Sequence, residues 1–377
     1  MAEQALINPR IISWARERAG LSEDNLAKKL SIKDTKKILE WEAGETKPTF
    51  KQAQKIASAT NIPFGYLFLI DPPQESLPIP DLRTVGDKHH EELSLEVKDI
   101  IKQVIAKQEW YKDYLIKLEA PRLTFIGKFS TNDSIYEVAQ DIRATINVEI
   151  PTKGSWEDYY RNLIKGAENA RILVMRSGIV GNNTRRKLQV SEFRGFAISD
   201  DIAPVIFINS SDAPTARLFT FIHELAHLWI GKSGISDLSP SHLEEEKFCN
   251  SVAGEFLVPK KYFFKLWKPE ERLISNLTSI SSALHVSKLV VAKRALDCNV
   301  IDSSTYWAYY HKELDDFRNI KGGQGDFNTN AGAKNSKLFS SAVVAEALSG
   351  RMLLRDAGNL LGVQPSNIRT YARKLAL

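Results

Sequence analysis

Two histidines four residues apart, His223 and His227, sit in the apolar run Phe221-Ile222-His223-Glu224-Leu225-Ala226-His227-Leu228-Trp229. If that run is one helix, positions i and i+4 share a face, so both imidazoles can reach one metal ion. Glu224 directly follows the first histidine, where its carboxylate can take a proton from a water activated by that ion. A five-residue motif also recurs by accident, and the bland reading is two histidines on an ordinary amphipathic helix. The next helical stretch, Glu244 to Pro259, weighs against accident. Glu246 comes 19 residues after His227, room enough for a helix end, a loop and a return. A carboxylate from a second helix completes a two-His, one-carboxylate set with one open position. Asn250 lies one turn beyond Glu246, placed to accept the free ring N–H of His223 and fix its tautomer. Ala253 continues that face with a side chain small enough for close helix approach. Zinc suits this donor set, and manganese or iron could use the same ligands.

These residues need elements to hold them. Asp212 is placed to cap the metal helix, Pro214 suits its first turn and Gly231 its stop. Upstream, apolar runs at Ile172–Met175, Phe193–Ile198 and Val205–Ile208 predict a small antiparallel sheet feeding into that helix. Val205–Ile208 is the candidate edge strand for holding an extended peptide by backbone hydrogen bonds; its plainer reading is a core strand. Helices are expected near 133–146 and 155–168.

The run Phe193-Arg194-Gly195-Phe196, Pro204 to Asn209, Arg217-Leu218-Phe219-Thr220, the His-Glu-x-x-His segment and Glu246 to Pro259 resembles the ImmA/IrrE metallopeptidases over about residues 125–260. The chain departs from the family's last motif at Cys249, Val252 and Val258, none of them a ligand position. The resemblance implies a zincin-like domain and a zinc-dependent endopeptidase. It also implies a regulatory protein as substrate, often a helix-turn-helix repressor, in stress-response or mobile-element circuits.

Residues 8–70 read as a compact all-helical module. Ser22 can cap a helix through Leu26, Ala27 and Leu30, and Thr35 to Glu42 forms the next, closed by Gly44. Two short helices and a tight turn match a helix-turn-helix, and Trp41 to Thr49 with Gln52 to Ala57 resembles a Xre/Cro-type domain. Lys33, Thr35, Lys36 and Lys37 are the groove-facing candidates, with Lys47 and Lys51 suited to phosphates. This segment has no Arg, Asn or Gln for bidentate base contacts, so a scaffold that holds a protein partner is the competing reading.

The net charge of +5 is mild for 377 residues. Residues 1–70 carry 11 Lys/Arg against 8 Asp/Glu and residues 271–377 carry 14 against 9, so the excess lies in the flanks, as a meeting with an acidic partner requires. Two cysteines, Cys249 and Cys298, exclude a disulfide framework. No apolar run is long enough to span a membrane, and the first 20 residues contain Pro9, Arg10 and Arg16, unlike a signal peptide; the expected location is cytoplasmic.

The expected class is α+β, predominantly helical. Residues 1–70 form the all-α helix-turn-helix domain and 71–120 a proline-rich linker with a long amphipathic helix that spaces the halves or pairs two copies. Residues 121–270 form the metallopeptidase domain and 271–377 a helical C-terminal domain. The linker includes Leu77-Pro78-Ile79-Pro80-Asp81-Leu82-Arg83-Thr84, a phrase similar to one in proteins that join these two domains. His89, His90, His285 and His311 lack companions at ligand spacing, Lys321–Gly325 reads as a flexible break, and Leu354–Arg369 has helix-turn-helix spacing. His242 and Tyr262 flank the metal motif as weak candidates for stabilising an oxyanion. The function expected is a zinc endopeptidase fused to a DNA-binding domain, cleaving a repressor or toxin–antitoxin type regulator. The alternative is a DNA-binding regulator or antitoxin-like protein whose metallo-domain senses or docks a partner without cutting it.

Overall fold

The apolar stripes read from the sequence close on a hydrophobic core in each of two compact units. The computed structural model describes residues 4–74, 93–236, 244–319 and 334–375. The Leu77–Thr84 phrase, His89, His90, His242 and the Lys321–Gly325 break lie outside the described residues.

The first unit holds α1 (Pro9–Arg18), α2 (Glu23–Leu30), α3 (Lys36–Ala43) and α4 (Phe50–Thr60), followed by a 3-10 turn at Phe64–Phe68. Its helices begin where oxygen side chains satisfy the first free amides: Asn8 accepts from Arg10 N, Ser22 from Asn25 N, and Thr49 forms a reciprocal box with Gln52. Ser31 at φ 59° ends α2 and Gly44 at φ 77° ends α3, giving the tight turn between the two helices and the exit after them. Ile11, Ile12, Leu26, Ile38, Trp41 and Ile56 are buried at the centre. Arg16 grips Glu42 through two hydrogen bonds of 2.7 and 2.9 Å, fixing α1 against α3.

The second unit begins within α5 (Leu95–Lys117), whose residues from Asp99 on belong to it. Then follow α6 (Ile135–Ile146), α7 (Trp156–Asn169), β1 (Leu173–Ser177), β2 (Gly195–Ile198), β3 (Val205–Asn209), α8 (Pro214–Trp229), β4 (Gly234–Ser236) and α9 (Glu244–Leu257). Further on are α10 (Lys260–Leu266), α11 (Leu273–Leu284), α12 (Lys288–Asp297), α13 (Ser303–Asn319), α14 (Lys337–Leu348), α15 (Leu354–Leu361) and α16 (Ile368–Leu375). No described helix is long and apolar enough to cross a membrane.

The class is α+β and mostly helical, as expected, but the sheet is mixed rather than antiparallel. Its order is β1-β3-β2-β4, with β1 and β3 parallel and β2 antiparallel to both β3 and β4. The long excursion between β1 and β2 carries the chain past one strand position, and the β2–β3 return then fills it. A strand entering there must run parallel to β1. Val205–Ile208 is therefore not an edge. Every residue of β3 is buried, paired on both sides, which is the core-strand reading. The edges are β1 and β4.

The long helix α5 buries Ile100, Ile101, Val104 and Leu115, while Ile105 and Trp110 are only partly covered. Trp110 stacks on Tyr114 and meets Phe339 of α14 edge-on, so this face is used inside the chain. The C-terminal helices thus share a unit with the sheet. Arg369, Arg373 and Lys374 on or next to α16 are exposed.

Candidate metal centre

Helix α8 lies between the sheet and α9, and His223, Glu224 and His227 on it are all 0% exposed. One feature of its ends is not as the sequence suggests. The residue at the cap is Ala213, with no side-chain bond, and Asp212 instead accepts from Ala213 N at 2.7 Å and from Arg194 at 2.9 Å. Pro214 does open the first turn, and Gly231 follows the stop at φ 69°. Trp229 in the last turn stacks on Phe125 and donates to Asp141 at 2.7 Å, which fixes the helix end.

Helix α9 brings Glu246 to the two histidines. His223 Nε2 and His227 Nε2 are 3.0 Å apart, and each lies 3.2 Å from one oxygen of Glu246. Ala226 and Ala253, both fully buried, supply small side chains on the two helices. Among the described residues these three are the group able to share one ion. Ligands at 2.0–2.1 Å from a tetrahedral centre stand about 3.3 Å from one another, so the three observed separations match a zinc-sized site.

The electrostatics suit a cation. Burial pushes the Glu246 carboxyl upward, but the two imidazoles outweigh it and hold the group at about 2. Burial lowers His227, only partly offset by Glu246, which favours the neutral imidazole that binds metals. A buried carboxylate between two buried imidazoles leaves a negative charge out of water, and a divalent ion would compensate it. His223 Nδ1 is buried and makes no hydrogen bond among the described residues. Asn250 does not supply that bond. It stands one turn past Glu246, half-buried, and lines a neighbouring cavity instead. Cys249 is fully buried, and burial drives its thiol well above the ordinary value, consistent with a small apolar filler. Tyr262 is 42% exposed on α10.

One contact at this site was missed from the sequence. Gly195 of β2 comes so close to Glu224 that a Cβ there would stand 2.7 Å from Glu224 Oε1, 2.9 Å from Thr220 Cγ2 and 3.0 Å from the Phe207 carbonyl. The glycine is the only residue type that leaves the carboxylate its place. Its signal was available in the Phe193-Arg194-Gly195-Phe196 phrase, but nothing local says which side chain that glycine faces.

A cavity of about 930 Å³ adjoins the centre. Ala216 and Phe219 line it from α8, seven and four residues before His223 and so on the same helical face. Asn250 lines it from α9, on the face that carries Glu246. The ligand-bearing faces of both helices therefore continue into this cavity.

In the first unit, Lys33, Lys36 and Lys37 are exposed, as are Lys47 and Lys51. Thr35 is half-buried at the start of α3 and its hydroxyl donates to Asp24 Oδ1, so it links α3 to α2. Lys37 Nζ lies 5.8 Å from the centroid of the Trp41 ring, and Leu39 is 50% exposed on the same short helix.

Comparison with known proteins agrees with both regions. Residues 167–296, which include the whole His/Glu cluster and the sheet, match the family described as IrrE N-terminal-like domain. Residues 12–67 match the family described as Helix-turn-helix, and residues 335–374, spanning α14 to α16, match a domain of unknown function (DUF8813). No curated protein matches the chain. The chain thus carries an IrrE N-terminal-like domain behind an N-terminal helix-turn-helix domain.

Proposed function

We propose that the chain is a metal-dependent endopeptidase that cuts a regulatory protein, with its helix-turn-helix domain binding DNA. The observation that carries this reading is the convergence of His223, His227 and Glu246 on one point, with Glu224 on the same helix. A zinc ion held by those three residues would supply electrophilic polarisation and a more acidic water; manganese or iron would fit the same donors. Glu224 accepts the proton of the attacking water at its carboxylate and delivers it to the leaving amine nitrogen. Gly195 leaves that carboxylate its place. The peptide is admitted along the cavity beside Phe219 and Asn250. The substrate class, a repressor or toxin–antitoxin type regulator, follows the family resemblance.

A second reading rests on the burial of the centre. His223, Glu224 and His227 are 0% exposed and Glu246 is 3% exposed, so a backbone carbonyl reaches them only if neighbouring segments move. A metallo-domain that docks a partner without cutting it is compatible with that closure. Glu224→Gln separates the two readings. It keeps the metal by elemental analysis and lowers cleavage of a co-encoded repressor by ~10²–10⁴-fold, whereas Glu246→Ala strips the metal. Equal partner integrity and equal reporter output in wild type and Glu224→Gln under the inducing stress would replace the peptidase reading with the docking one.

A further inference from the structure

A second cavity, of about 420 Å³, lies in the larger unit away from the metal cluster. Four parts of the chain build it: α5, the end of β1 with the turn after it, β3 through Phe207, and the start and end of the α14–α15 segment. Two lysines face into it, Lys107 from α5 and Lys334 from just before α14. Their hydrogen-bond partners are all neutral oxygens. Lys107 Nζ donates to Asn335 Oδ1 at 2.7 Å, and Lys334 Nζ donates to Asn182 Oδ1 at 2.9 Å and to the Gly181 carbonyl. The asparagines are themselves fixed: Asn335 Nδ2 donates to Leu361 O at 2.9 Å and Asn182 Nδ2 to Gly362 O at 2.8 Å. No Asp or Glu is among the described residues that line the cavity.

Two ammonium groups therefore share a partly buried space with no carboxylate among its described lining residues. Each has three N–H donors, and the described bonds use one on Lys107 and two on Lys334. The strain of this arrangement is visible in their basicity. Burial, with the Lys334 charge adding to it, pulls Lys107 down to about 8, and burial lowers Lys334 as well. Charged side chains are seldom left in such a setting without a partner. Ile100, Val104, Phe207 and Leu360 add apolar surface to the lining. The volume falls in the range of sites for small organic ligands.

We propose that this cavity binds a small organic anion, a carboxylate or phosphate ester carried on an apolar body. The anionic head sits between Lys107 and Lys334 and takes their unspent N–H donors, while the body lies against Ile100, Val104 and Phe207. Such a ligand also ties the C-terminal domain to the sheet, because its contacts come from both.

Titration calorimetry on the full chain at low salt tests the site with phenyl phosphate and phenylacetate. Inorganic phosphate, which lacks the apolar body, serves as the comparison. Saturable binding of either aromatic anion, at least about tenfold tighter than inorganic phosphate, is the expected result, and the stronger of the two identifies the head group. Lys107→Met and Lys334→Met keep the side-chain length and remove the charge; each weakens that binding about tenfold or more. Wild type alone gives an independent readout. In acetic anhydride labelling at pH 8, followed by peptide mass spectrometry, the probe protects Lys107 and Lys334 but not exposed Lys265. Absence of saturable binding by both aromatic anions, unchanged affinity in both variants, or labelling of the two lysines that ignores the probe would overturn the proposal.

Discussion

Gly195→Ala is the sharpest test of how the general base is held. The added methyl carbon would stand 2.7 Å from Glu224 Oε1, and ordinary contact begins near 3.4 Å, so something must yield by roughly 0.7 Å. The strand cannot easily retreat, because Gly195 is in register with Ile208 of β3 on one side and Ser236 of β4 on the other. Thr220 cannot swing away freely either, since its hydroxyl donates to Ala216 O at 3.2 Å. The Phe207 carbonyl, 3.0 Å from the new atom, is backbone. The carboxylate of Glu224 is what moves. A catalytic group misplaced by this order costs up to ~10²-fold in rate, and overpacking a full core costs about 1–3 kcal/mol of stability. None of the three proposed metal ligands is among the nearest atoms the methyl meets, so elemental analysis should find the metal retained. Cleavage of a protein substrate should fall by about 10- to 100-fold. In a Glu224→Gln background the same change should cost almost nothing more, because residues acting through one group are not additive. Wild-type cleavage by Gly195→Ala with full metal content would refute the reasoning.

Two other expectations use different parts of the molecule. Reversing Lys33, Lys36 and Lys37 to Glu should abolish gel-shift binding to the protein's own promoter, measured at low salt where phosphate contacts count most; absence of any wild-type shift there would favour the scaffold role for the module. Asp200 is half-buried, which alone would raise its carboxyl, but the Lys112 ammonium and the Ala203 and Ile202 amides outweigh this and hold it below the usual value. The folded state therefore favours the carboxylate, and that contribution is present above the unfolded pKa of about 4 and lost as pH falls below it. Lys112→Met should lower stability at pH 7 by about 1 kcal/mol or less, since Lys112 is partly exposed, and the difference should shrink by pH 3 in thermal melts. An unchanged difference at pH 3 would contradict the assignment.

Local spacing determined a good deal of this protein. The four-residue interval between His223 and His227 dictates a shared helical face whatever surrounds it, and the apolar periodicity of α8 and α9 dictates where they pack. Ser22, Thr49 and Gly44 announce helix ends through chemistry that reaches only two or three residues along the chain. The family phrases around Gly195 and Glu246 were likewise legible. The rest depended on contacts between residues far apart in sequence. Hydrophobic runs say that β1, β2 and β3 are strands but not their order, because an apolar strand is equally content beside any neighbour. Hence the apolar pattern of β3 fits an edge or a core strand equally, and the fold makes it central. Helical spacing puts Asn250 on the face of Glu246, but the packing angle between α8 and α9 decides whether it reaches His223, and it turns to the cavity instead. The partner of Gly195 is chosen by the stacking of β2 on α8, 29 positions later in the chain at Glu224. Lys107 and Lys334 lie farther apart still. Only tertiary folding sets two like charges in one cavity, since no sequence pattern records a repulsion that the rest of the core is stable enough to hold.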